Sequence, residues 1–241
     1  MIRTSIVILW TILVTAFMAV MIILFSFITS NANTAHKIAT IWARCILAFS
    51  NIKITIRGLS NLNPGRSYIL MPNHTSNLDI PVLQAYLPVQ FRWLAKVELF
   101  KIPIFGHAMK RAGYISIDRS NRKSAIESLN KVAEIIKNGV SVIIFPEGTR
   151  SRTYEIQPFK KGGFVLAVDS GVPILPVIIH GTGRIMPKNQ ISIKPGNVTL
   201  EILKPIESSN YTRKTKNDLM NKVRHVILES FEKYKKNGPL C

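Results

Sequence analysis

Acidic residues are scarce in this chain. Its 241 residues include 13 Asp and Glu, only four of them Asp, against 32 Lys and Arg, so the formal net charge is +19. An excess of that size calls for an anionic partner: nucleic acid, anionic lipid or a phosphorylated substrate. Nucleic-acid modules are missing, with no zinc-finger spacing and no RNP-like string. Charge alone does not carry a nucleic-acid reading, and no nucleic-acid partner is expected. Cysteine is equally sparse. Cys45 falls on an apolar helical stretch and Cys241 is the last residue, which leaves neither a disulfide framework nor a metal site and fits a reducing compartment. Repeats and low-complexity tracts are also absent.

Charge vanishes altogether between Ser5 and Ile28, in SIVILWTILVTAFMAVMIILFSFI. As a helix this run covers about 36 Å, enough for a hydrocarbon core of about 30 Å. It is longer than the apolar region of a cleaved signal peptide, about 7–15 residues. It reads as a membrane segment that either spans the bilayer or dips into one leaflet. Positive charge is sparse on both flanks (Arg3 before; Lys37 and Arg44 after) and does not orient it. After a polar break at 29–35, Ile38, Ile41, Trp42, Cys45, Ile46 and Phe49 recur at three- and four-residue steps, with His36, Lys37 and Arg44 on the polar side. Residues 1–50 thus predict a membrane-anchoring helical hairpin. Its second helix lies at the membrane interface or packs on the body of the protein.

From residue 52 short strands and helices alternate. Strands are expected at 53–57, 67–71, 91–95, 114–117, 141–145, 174–180, 191–194 and 198–203. Helices are expected at 80–86, 104–111, 122–138, 163–170 and 215–235. Runs such as VSVIIF and VPILPVII suit strands covered on both faces. The expectation for 51–241 is one α/β domain, a mixed sheet flanked by helices.

Two segments carry the chemistry. NHTSNLD at 73–79 places His74 and Asp79 five residues apart. On a straight helix that step turns the side chains about 140° apart, so they meet only across a turn. Pro72 and the turn formers Asn73, Thr75, Ser76 and Asn77 supply one. Asp79 could then hold one ring nitrogen of His74 and leave the other free to take a proton from a hydroxyl. A capping turn with a surface His is the plainer reading of this segment alone. FPEGTRS at 145–151 follows an apolar run. Gly148 lets backbone approach a ligand, Arg150 offers a fork for a phosphate, and Glu147 could orient a substrate hydroxyl or a neighbouring Arg. The plainer reading here is a turn closed by a Glu–Arg pair. Lys96, the Asp118-Arg119 pair and the FKKGGF run at 159–164 also follow or flank strands, where α/β sites collect.

With these blocks in view, the chain resembles the glycerolipid acyltransferases of the 1-acyl-sn-glycerol-3-phosphate type over roughly residues 35–205. NHTSNLDIP (73–81), GYISIDR (113–119), FPEGTRS (145–151) and VPILPV (172–177) match in order, and AKVELFKIPIFG (95–106) is similar to the family's linker. Asn77 stands where the family commonly has Trp. The resemblance implies that His74 is the general base and that Asp79 orients it. Arg119, Arg150 and Lys96 would hold the acceptor phosphate. Glu147, Gly148 and Thr149 would shape the acceptor pocket, and Pro176 would form part of its wall. It implies acyl transfer from acyl-CoA or acyl-carrier protein to the sn-2 hydroxyl of lysophosphatidic acid, giving phosphatidic acid. No cofactor, metal or acyl-enzyme is expected. The setting would be a cell or inner membrane rich in anionic lipids, with the site facing the cytoplasm. Glycerol-3-phosphate or another lysolipid as acceptor, and a non-catalytic lipid-binding protein, are the competing expectations.

Overall fold

A computed structural model describes residues 2–118, 120–188 and 190–237. Arg119 and Cys241 lie outside them.

The chain opens with α1 (Ile2–Ile28) and α2 (Ala32–Phe49), a helical hairpin as the sequence predicts. There follow β1 (Ile52–Arg57), β2 (Ile69–Pro72), α3 (Asp79–Tyr86), β3 (Phe91–Lys96), α4 (Phe105–Arg111), β4 (Ile115–Ile117), α5 (Arg122–Lys137) and β5 (Ser141–Ile143). The last elements are α6 (Gly162–Ser170), β6 (Ile174–His180), α7 (Thr182–Ile185), β7 (Gly196–Ile202) and α8 (Lys216–Asn237). The strands form one sheet in the order β1-β7-β6-β2-β5-β3-β4. Five neighbours, β6 through β4, run parallel; β7 meets β6 antiparallel and β1 runs with β7, so the sheet is mixed, as expected.

Both faces of the sheet are covered, which explains the near-continuous apolar strands. The period-2 alternation survives beneath them. Leu70, Ile143, Leu175, Val177 and Ile179 pack with Ala43, Leu47, Val82 and Leu83 of the α2–α3 layer. Their neighbours Ile69, Met71, Val142, Ile174 and Ile178 pack with Val132, Phe164, Leu219 and Val223 of the α5, α6 and α8 layer.

α1 buries Val7, Val14, Ala19 and Ile22 and leaves Ile6, Leu9, Leu13, Phe17 and Leu24 exposed. It is long and apolar enough to cross a membrane, and only 22% of its most apolar window is buried, unlike a core helix. Thr11 and Thr15 spend their hydroxyls on carbonyls one turn back, so little of α1 needs water.

For α2 the structure decides between the two sequence readings, and shifts the stripe. The buried positions are Ala35, His36, Ala39, Ala43, Ile46 and Leu47, while Ile41 and Phe49 face outward. Small alanines let α2 seat closely on α3. His36, assigned to the polar side from sequence, turns inward toward Gln84. The helix packs on the body of the protein, against α3.

The strand expected at 191–194 does not form. The Ile193 carbonyl accepts from the Arg3 guanidinium, its amide donates to Thr4, and Lys194 donates to Ile185. These bonds go to α1 and α7 in place of a neighbouring strand, and Pro195, which follows, has no amide to offer a ladder. The short helix α7, absent from the sequence expectations, precedes this stretch.

Candidate active site

The parallel strands share one C-terminal edge, and each sequence motif leaves the sheet there: residues 73–79 after β2, Lys96 at the end of β3, 145–151 after β5 and 181–188 after β6. The first loop is stitched to its neighbour at once. The Asn73 side chain donates to the Ile179 carbonyl at 3.1 Å and accepts from the Ile179 amide at 2.7 Å.

The turn then closes on Asp79, the first residue of α3. Its Oδ2 accepts from the backbone amides of Thr75 at 2.7 Å and Ser76 at 2.9 Å, and meets His74 Nδ1 at 2.8 Å. Its Oδ1 accepts from the Thr182 hydroxyl. Asp79 is fully buried while the His74 side chain keeps 15% of its surface. A carboxylate can only accept, so Nδ1 carries the proton and Nε2 presents a lone pair. Among the described residues Nε2 has no hydrogen-bond partner. The plainer capping-turn reading is half right, since Asp79 does cap the turn, but the same carboxylate also holds the imidazole.

FPEGTRS wraps around this pair. Phe145 stacks on the His74 ring, with centroids 3.8 Å apart and planes 13° from parallel. Gly148 has φ +74°, a conformation that side chains resist. Ser151 donates its amide to the His74 carbonyl at 2.7 Å. Glu147, considered from sequence as a partner for an Arg or a substrate hydroxyl, is engaged here by backbone amides. Buried, it accepts from the His74 amide at 2.8 Å and from the Gln157 amide at 2.9 Å, so it braces one loop against the other. Burial pushes its carboxyl up to about 7; those two amides oppose the shift and the Asp79 charge adds to it.

The remaining candidates divide. Arg150 lies on this loop, its carbonyl accepting from Lys188 Nζ at 2.5 Å; Thr149 Oγ1 is 3.5 Å from the same ammonium. Desolvation and the charges of Arg152 and Arg150 hold the Lys188 pKa below its usual value, so three cations gather beside the His–Asp turn. Lys96 stands at the same edge of the sheet, but its exposed ammonium pairs with Glu98 at 3.0 Å. Pro176 sits inside the sheet in register with Met71 and is buried. Arg119 is outside the described residues. In the FKKGGF run, Gly163 serves packing: a Cβ there would lie 3.1 Å from Met71 Cε. No group of three His, Cys, Asp or Glu among the described residues could hold a metal.

Sequence reading passed over Phe145, Thr182 and Lys188. The signal for the last two was present in HGTGRIMPK (180–188), a Gly-Thr-Gly turn after an apolar strand, the same pattern that drew attention to FPEGTRS.

A histidine polarised by a buried carboxylate, beside a Gly–Arg turn at the mouth of a mixed α/β sheet, defines a class of enzymes that activate a hydroxyl near an anion. The comparisons are narrower. The family model described as Acyltransferase matches residues 53–180, and the chain belongs to that family. It is 38% identical to the chloroplastic 1-acyl-sn-glycerol-3-phosphate acyltransferase of Arabidopsis thaliana, over 82% of this chain and 54% of that protein. It is 32% identical to the human 1-acyl-sn-glycerol-3-phosphate acyltransferase alpha, over 78% and 66%. This chain spans about half the length of the chloroplastic relatives. The crystal structure of the 1-acyl-sn-glycerophosphate (LPA) acyltransferase PlsC from Thermotoga maritima superposes with TM-score 0.82 at 28% identity, covering 97% of each chain.

Proposed function

We propose that this protein transfers a fatty acyl group from an acyl thioester, acyl-CoA or acyl-carrier protein, to the sn-2 hydroxyl of lysophosphatidic acid, giving phosphatidic acid. One observation carries the proposal: the 2.8 Å contact between His74 Nδ1 and Asp79 Oδ2, with Nε2 left to face a substrate. Nε2 takes the hydroxyl proton as the substrate oxygen attacks the thioester carbon. The tetrahedral intermediate expels the thiolate, and the imidazolium returns the proton to that sulfur. Asp79 stabilises the imidazolium between the two transfers. The scheme uses no metal, no cofactor and no acyl-enzyme.

Arg150, with Lys188 beside it, binds the acceptor phosphate; Lys96 adds a cation from the end of β3, and Arg119 is given the same role by the sequence motif GYISIDR alone. Gly148 and Thr149 shape the pocket, and Pro176 backs its wall through the sheet. The acceptor named for the relatives, a 1-acyl-sn-glycerol-3-phosphate, supports this choice of acceptor. α1 holds the protein in a cell or inner membrane, and the +19 charge draws the cytoplasm-facing site toward anionic headgroups.

Purified protein assayed with lysophosphatidic acid, glycerol-3-phosphate and neutral lysolipids, each with both donor types, tests the reading. Transfer to lysophosphatidic acid should be fastest, and His74→Ala should abolish it. A preference for an unphosphorylated acceptor would overturn it.

A further inference from the structure

Asp79 has two oxygens, and the dyad with His74 uses only one. On Oδ1 the Thr182 hydroxyl donates a bond of 2.5 Å, from the first residue of α7. Thr182 is fully buried, and its oxygen also meets the Thr75 hydroxyl at 3.1 Å. With Thr182 committed to the carboxylate, Thr75 must be the donor in that second contact. The result is a relay of dipoles pointing one way, Thr75 to Thr182 to Asp79, in a site closed to water.

The backbone is arranged to deliver this hydroxyl. Gly181 has φ +99°, and a Cβ there would lie 2.6 Å from the Asn197 carbonyl, so the turn out of β6 excludes any side chain at that position. At Gly183 a Cβ would press on the Tyr154 ring at 2.5 Å, and Tyr154 itself takes φ +60°. Glycines on either side thus let the chain fold Thr182 down onto Asp79 beneath the 145–157 loop. The opposite end of this segment is fixed as well, since Ser76 Oγ donates to the Met186 carbonyl at 2.8 Å.

We infer that Thr182 is a positioning residue of the reaction: its hydroxyl fixes the rotation of the Asp79 carboxylate so that Oδ2 faces His74 Nδ1. This inference rests on the base role proposed for His74. Three donors converge on Oδ2 and one on Oδ1. Without the fourth, the carboxylate can turn toward the two backbone amides and away from the imidazole. The imidazolium formed in the reaction then loses part of the carboxylate contact that stabilises it, which disfavours protonation of the base.

The test compares Thr182→Val and Thr182→Ser in the full chain with His74→Ala alongside, by initial-rate kinetics against pH at saturating donor. Thr182→Val should lower kcat about 10- to 150-fold, the scale of one hydrogen bond to a charged group. The acceptor KM should hold, and the acid limb of the kcat/KM profile should move to lower pH as the imidazolium loses its carboxylate partner. Thr182→Ser, which keeps the hydroxyl, should restore both. Unchanged kcat and an unmoved acid limb in Thr182→Val, with His74→Ala inactive, would overturn the inference while leaving the base role standing. Full activity in His74→Ala would instead remove the base reading itself. Should the valine not fold, the pH titration of the His74 ring followed by NMR in Thr182→Ala decides the matter. A lowered His74 pKa supports the inference and an unmoved or raised one refutes it.

Discussion

The aromatic ring of Phe145 lies flat against the imidazole of His74, 3.8 Å between centroids. A base that must hold its Nε2 in one direction gains from a stacked plane, because hydrogen bonding at Nδ1 still allows the ring to pivot about that bond. Trp93 stands 6.0 Å behind Phe145 and backs the stack. Replacing Phe145 by Leu should reduce kcat about tenfold, which corresponds to about 1.4 kcal/mol and matches a specific aromatic pair. Steady-state kinetics on protein of unchanged melting temperature measures this. A rate equal to the parent would make the stack mere packing.

The dyad itself gives the largest effect. His74→Ala should slow turnover by about two to four orders of magnitude, the range for a lost general base. Asp79→Asn should also be severely slow, and less stable. An amide nitrogen in place of one carboxylate oxygen cannot accept from both the Thr182 side and the cluster of three donors. Circular dichroism beside the kinetics separates chemistry from folding.

On the phosphate side, Arg150→Ala and Lys188→Met should each raise the acceptor KM several-fold and change kcat less, since charge-assisted bonds to the phosphate form in ground and transition states alike. Both effects should shrink with an acceptor lacking the phosphate. A rise in donor KM alone would move these cations to the thioester.

Two buried groups should oppose each other in the pH dependence of stability. Burial holds His36 at about 4, with the Arg92 charge acting the same way, so it stays neutral in the fold although an unfolded His titrates near 6.5. Its stabilising contribution is complete above about 6.5 and is lost as pH falls toward 4. Glu147, raised to about 7, behaves oppositely: its contribution is complete below about 4.5 and is lost as pH rises through 7. The parent should therefore show a flat profile between pH 5 and 6.5. Glu147→Gln should expose the His36 slope, with stability rising by up to about 1.4 kcal/mol per pH unit. Denaturant midpoints at half-unit steps read the slope. A flat profile in that variant would show that His36 does not titrate as its burial demands.

Membrane attachment should resist salt. Covering the exposed side of α1 gains far more than surface charge does, and charge is screened within about 10 Å at 0.1 M salt. The protein should stay in the membrane fraction after a high-salt wash. Changing Leu9, Leu13 and Phe17 to Asn should release part of it while the buried Val7, Val14 and Ile22 still hold α1 to the body. Protein that washes off in salt alone would leave α1 with no anchoring role.

Periodicity and turn chemistry made most of this fold legible. Seven of eight strands and all five expected helices of the α/β part appear within a few residues of where the pattern puts them, because long apolar runs between Gly, Pro and Asn clusters leave few alternatives. His74 and Asp79 were legible because the intervening residues can only turn. Three things were not. The inner face of α2 is lined with alanine, and a reading weighted toward large side chains rotates the stripe toward Ile41 and Phe49. Glu147 looked like a ligand-facing acid, yet its partners are backbone amides, which leave no mark in sequence. Thr182 reaches Asp79 across 103 residues, a contact set by strand order alone.

Arg3 spans two carbonyls, donating to Ser50 at 2.6 Å and to Ile193 at 2.9 Å. Ser50 closes α2, and Ile193 belongs to the segment that began with Thr182. The first turn of α1 is thereby riveted to the frame that sets the Asp79 carboxylate. A helix held in this way acts as a keel. On the function proposed above, a helix so held would fix the height and heading of His74 above the leaflet, and the depth of α1 would set which hydroxyls come within its range.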